Sequence, residues 1–125
     1  MKYLFLIFPL VLLIILGSQE NTIYANRNIP KLFKEVNVGD SLDHALDTLG
    51  PPIESSVFRR GDGSYQVETS EGADRRYLAE HMNDENVIVM LVYSKRMPNR
   101  EVYVEYSMHL KGGKVFRVGR GEVID

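Results

Sequence analysis

A chain of 125 residues with 44% apolar content has room for one domain and a small core, and a second domain is not expected. It contains no cysteine, which excludes disulfides, thiolate nucleophiles and cysteine-held clusters. Its 15 bases against 17 acids, a formal charge of −2, disfavour a general nucleic-acid binder.

The first stretch sets one early charge, Lys2, before an almost wholly apolar run from Tyr3 to Leu16 and then small and polar residues. That is the layout of a secretory leader. A spanning helix needs about 20 apolar residues, and this run is shorter and carries Pro9, so cleavage is expected rather than a permanent anchor. Both Ile23-Tyr24-Ala25 and Leu16-Gly17-Ser18 offer a cut, and the first is preferred. Residues 1–25 are therefore read as a signal peptide or short membrane anchor, and 26–125 as a single exported domain. A lipoprotein leader ends in cysteine where this one has Ser18, so no lipid attachment is expected. Loss of Lys2 and Glu20 leaves 14 bases and 16 acids, the same net charge.

Asn26 to Pro30 reads as a polar linker, and Lys31 to Val36 as a turn or two of helix. The clearest local code follows. Asp40 or Ser41 can cap a helix whose Leu42, Ala45, Leu46 and Leu49 recur at i, i+3, i+4 and i+7, and Gly50 with Pro51-Pro52 ends it. So short a helix is marginal in water. It must be docked on something.

Between Ser56 and Glu68 the turn residues Gly61-Asp62-Gly63 predict a hairpin, and a short helix is expected over Ala73–Met82. Val87 to Tyr93 is a β-branched run that reads as a central strand. Val102, Val104, Tyr106, Met108 and Leu110 alternate with Tyr103, Glu105, Ser107 and His109, the period of a half-buried strand. Lys111-Gly112-Gly113-Lys114 then turns the chain into Val115–Val118. A two-residue loop would pair Leu110 with Val115, whereas a three-residue bulged loop would bring Phe116 and Val118 onto the Met108 face. Apolar burial favours the second register. The fold class expected is α+β in two layers, with one or two short helices on an antiparallel sheet of three or more strands.

The stretch from Val36 to Pro52, with Gly39, Ser41, Ala45 or Leu46, and Leu49-Gly50, resembles the signature I-x-x-G-M-T-x-x-x-V-x-x-x-L-G-x-P of the SmpA/OmlA (BamE-like) family. Asp40 stands where that signature has methionine. The later strands around Gly112-Gly113-Lys114 are similar in order to the family's sheet. The resemblance implies two helices on a three-stranded antiparallel sheet, a fold similar also to β-lactamase inhibitory proteins. It further implies a non-enzymatic binding or assembly module of the bacterial cell envelope, periplasmic or membrane-associated. The alternative is an inhibitor that occludes a partner enzyme's active site with a loop from residues 59–72.

Catalytic chemistry has little support. His44, His81 and His109 have no metal spacing, and Glu80-His81 lacks the second histidine of a zinc motif. Gly61-Asp62-Gly63-Ser64-Tyr65 is no nucleophile elbow, and the two glycines at 112–113 do not open a phosphate-binding helix. Neither enzyme activity, cofactor, metal nor small-molecule substrate is expected. Charge is distributed unevenly instead: residues 35–54 carry five acids and no base, while residues 95–120 carry seven bases against two acids. Solvated faces with a lysine-guarded edge explain this simply. The functional reading is that Arg96, Arg100, Lys111, Lys114, Arg117 and Arg120, with Tyr103 as an interface anchor, meet another envelope protein or an anionic lipid surface, where each base is worth about 1 kcal/mol.

Overall fold

The computed structural model describes residues 21–97 and 106–120. In chain order the elements are β1 (Asn21–Tyr24), α1 (Ile29–Leu32) continued by a 3₁₀ turn (Phe33–Glu35), α2 (Leu42–Leu49), β2 (Glu54–Arg60), β3 (Tyr65–Glu71), α3 (Arg75–His81), β4 (Val87–Val92), β5 (Ser94–Met97), β6 (Tyr106–Lys111) and β7 (Lys114–Arg120). Five strands form one antiparallel sheet in the order β3-β2-β4-β6-β7, and β1 pairs with β5 in a separate ribbon. The fold is α+β, as expected.

Helix α2 forms where the sequence places it. Ser41 Oγ accepts the His44 amide at 3.1 Å, and Gly50 closes the end at φ 77°. All four stripe residues, Leu42, Ala45, Leu46 and Leu49, are buried. They share one core with Ile29 and Phe33 of the first helical turns, Leu78 of α3, and one face of the sheet: Val57, Val87, Val89, Leu91, Met108, Leu110 and Val115. Burial of each such side chain supplies about 1.5–3 kcal/mol as an upper estimate, enough to hold a helix that would melt alone.

The closing hairpin departs from the favoured register. Gly112 (φ 60°) and Gly113 (φ 80°) make a two-residue loop, Lys111 faces Lys114 and Leu110 faces Val115. The register then shifts between His109 and Leu110, so that Arg117 lies opposite His109 and Val118 opposite Met108. Phe116 is the extra residue of this bulge and stays exposed. Two consecutive positive-φ glycines match the right-handed twist of the flanking strands, and that local preference outweighs the area gained by burying Phe116.

The two edges of the sheet differ. Beside β7, Gly39 N–H donates to Val115 O, Val115 N–H to Asp40 O and Leu42 N–H to Gly113 O, so the segment leading into α2 covers the hairpin end of that edge. Strand β3, at the other edge, is exposed along nearly all its length. The stretch 59–72, source of the loop in the inhibitor reading, is mostly strand, with a tight turn in which Gly61 N–H donates to Ser64 O at 2.8 Å. Strand β1 lies within the stretch assigned to the leader. Residues 98–105, with Arg100, Tyr103 and the first part of the expected strand 102–110, fall outside the described residues.

Candidate interaction surface

The helices cover one face of the sheet. The other face is assembled by alternation: side chains of β2 at Ser56, Phe58 and Arg60, of β3 at Tyr65, Val67 and Thr69, of β4 at Ile88 and Met90, and of β6 at His109 and Lys111 all point away from the helix layer. Cross-strand register lines them up in rows. Val67, Phe58 and Ile88 form one, and Thr69, Ser56, Met90, His109 and Arg117 form the next. Tyr65, Val67 and Phe116 are 60%, 56% and 45% exposed, large apolar groups that the fold leaves in water. Scattered singly they would need no explanation; contiguous with Phe58, Ile88 and Met90 they form a patch of the kind that partners cover.

At the hairpin end this patch runs into cations. Arg60, Tyr65, Ile88 and Lys111 help to line a recess of about 70 Å³, and Lys114 and Arg117 follow on β7. Among the described residues, Arg60, Lys111, Lys114 and Arg117 have no carboxylate partner; the same holds for Arg27, Lys31 and Lys34, whereas several other cations are paired. Arg59 pairs with Asp84 at 2.8 Å, Arg75 with Asp47 at 2.6 Å and Asp43 at 3.3 Å, and Lys95 with Glu54. Half-buried His109 lies between the apolar row and Arg117, its ring 5.9 Å from that of Phe116. Burial, reinforced by the Arg117 guanidinium, holds its imidazole below the usual pKa.

Of the residues singled out in the sequence, Lys111, Lys114 and Arg117 come together here. Arg120 does not join them: its guanidinium donates to Val36 O at 2.6 Å, Asn37 Oδ1 at 3.1 Å and Phe33 O at 3.4 Å, tying β7 to the helical turn at 33–36. Arg96 sits on β5 opposite Thr22 in the separate ribbon. Arg60, Tyr65, Val67, Phe58, Ile88, Met90 and Phe116 were not singled out. Their only signal is the period-2 phase of β2 and β3, and adjacent Val57 and Phe58 make that phase ambiguous.

A concavity of about 600 Å³ lies by the C-terminus of α3 and is lined by polar groups including Arg59, Glu80, His81 and Asp84. Arg59 and Asp84 neutralise each other there, and the His81 ring meets that of Tyr77 edge-on at 4.6 Å. The three histidines stand on different elements, and no group of three metal-binding side chains occurs among the described residues. Nor is any helix among them long and apolar enough to cross a membrane. Comparison with protein-family models, with curated proteins and with solved structures finds no match to this chain.

Proposed function

We propose that this chain is an exported, non-enzymatic binding or assembly module of a bacterial cell envelope, and that it docks a partner protein on the uncovered face of its sheet. The observation that carries the reading is the junction of the Val67-Phe58-Ile88 row with the cations Lys111, Lys114 and Arg117, which have no carboxylate partner among the described residues. Such a surface suits a segment that offers apolar side chains next to carboxylates, since complementary charge orients the encounter and apolar burial holds it. The leader-like first stretch and the resemblance of residues 36–52 to the SmpA/OmlA signature support the envelope setting.

The test is capture from detergent-solubilised envelope by the wild-type chain and by the triple variant Lys111→Glu, Lys114→Glu, Arg117→Glu. The expected outcome is one or more envelope proteins retained by the wild type and lost from the variant, with the unfolding midpoint little changed, because these side chains are exposed. Equal capture by both proteins would remove the reading. Equal retention of wild type and variant on anionic and neutral vesicles is expected; strong wild-type retention on anionic vesicles alone would make the surface a lipid site instead. Capture of a single soluble enzyme would redirect the assignment to an inhibitor.

A further inference from the structure

The free edge of β3 carries an inference that does not depend on the docking face. Gly61 N–H bonds Ser64 O within the hairpin, and Arg60 N–H points the other way, to Asn86 O of the β4 side. Antiparallel ladders alternate, so Gln66, Glu68 and Ser70 direct their backbone groups toward β2. Tyr65, Val67, Thr69 and Glu71 direct theirs outward. The result is a row of four residues, Tyr65, Val67, Thr69 and Glu71, whose donors and acceptors face outward, with few of the usual protections: β3 has no proline or lysine, no bulge interrupts its register with β2, and its only charges are Glu68 and Glu71. The β7 edge, by contrast, is bulged, and its hairpin end is covered. The exposed side chains of β3, Tyr65, Val67 and Thr69, are residue types that favour strands.

We propose that this edge pairs with the β3 edge of a second copy of the chain, antiparallel about a two-fold axis, with Val67 opposite Val67. Three registers pair at least three outward-facing residues of each strand, centred on Val67, Glu68 or Thr69, and the last sets apolar Val67 against Glu71. Centring on Glu68 sets that carboxylate against its twin, and like charges directly opposite are destabilising. Centring on Val67 sets Gln66 against the second copy's Glu68, where an amide can donate to the carboxylate, and sets Tyr65 against Thr69. These oppositions select the register centred on Val67. It also joins the two apolar rows into one, Ile88-Phe58-Val67 continuing as Val67-Phe58-Ile88 of the second copy. Edge pairing alone buries less than the roughly 1,200 Å² of a standard stable interface, so the dimer is weak and forms as concentration rises.

Sedimentation velocity of the purified chain from low micromolar to near-millimolar concentration tests this, and a reversible monomer-to-dimer shift is expected. Val67→Pro removes only an outward N–H and leaves the β2 ladder intact, so it should weaken dimerisation at least tenfold. If that variant proves misfolded by circular dichroism, Val67→Lys serves the same purpose. The chain has no cysteine, so Val67→Cys carries a lone thiol. Opposed Cα atoms in such a pair lie about 5.5 Å apart, within disulfide reach, and mild oxidation should give a covalent dimer faster than for Glu68→Cys, whose equivalents lie diagonally about 7–8 Å apart. A chain that stays monomeric throughout, or cross-links faster through position 68 than 67, overturns the proposal. Uptake of a foreign extended peptide by a chain that never self-associates would overturn it in favour of strand addition from another protein.

Discussion

The phenol of Tyr93 donates a hydrogen bond to the carbonyl oxygen of Gly50 at 2.9 Å, joining the end of the central strand to the end of helix α2. Asn26 Nδ2 reaches the neighbouring Leu49 carbonyl at 3.0 Å. Together they satisfy two of the carbonyls that a helix end leaves without partners. The ring itself is fully buried, edge-on to Phe33 at 5.5 Å, and burial pushes its ionisation well above the ordinary phenol range.

Tyr93→Phe keeps that packing and deletes only the hydroxyl, leaving the Gly50 carbonyl unpaired. It should destabilise the fold by about 1–3 kcal/mol. Urea unfolding should show a lower midpoint with an unchanged slope, because the area exposed on unfolding is the same.

The closing turn makes a sharper prediction, since Gly112 and Gly113 both have positive φ and a Cβ at either would meet nothing within 4 Å. The obstacle to substitution is conformational rather than steric crowding. Gly112→Asn should be close to neutral, because asparagine tolerates this region and Asn-Gly is the favoured pair in such turns. Gly112→Val should cost about 1–2 kcal/mol. Thermal unfolding of the two variants side by side separates backbone strain from loss of contact.

What was legible follows from whether local and global signals agree. Over 41–50 the cap, the apolar spacing and the terminating glycine all point to one helix, and the structure contains it. The Val87–Tyr93 run was legible as a central strand for the same reason. Strands β1 and β5 were not: their partners are some 70 residues apart in sequence, polar Ser94-Lys95-Arg96 carries no apolar alternation, and Asn21–Tyr24 had been assigned to the leader. The basic residues of the closing hairpin were legible as a cluster, but the apolar row beside them depends on which phase of β2 faces the helices. Neighbouring Val57 and Phe58 fit either phase. Arg120 shows the opposite error, a cation counted with the surface that the fold uses to hold three oxygens.

His109 should give the fold a specific acid sensitivity. In the unfolded chain the imidazole takes up a proton near its ordinary value of about 6.5, while in the folded chain burial and Arg117 hold its pKa lower. The unfolded state therefore binds more protons in that window, and stability present above it falls as pH drops through the folded value. His109→Gln should flatten the dependence of the urea midpoint between neutral pH and about pH 5. A slope identical to that of the wild type would show that other groups carry the effect.

The ribbon of β1 with β5 bears on maturation. Tyr24 lies opposite Ser94, and Ala25 N–H donates to Tyr93 O at 2.8 Å. A cut after Ala25 discards this ribbon, whereas a cut near Gly17-Ser18 retains it. With export as proposed, mass spectrometry of the mature protein should find its N-terminus ahead of Asn21, and a chain engineered to begin at Asn26 should unfold at a lower temperature than one beginning at Gln19.

The cover that residues 39–42 place over β7 has a consequence for assembly. Sheets that can grow from both margins polymerise, and in this one the bulge in β7 and the cover over residues 113–115 obstruct one side. Once the β3 margin has taken a partner strand, the five-stranded sheet of each molecule offers only that bulged, partly covered margin, which favours a discrete complex over propagation into a fibre.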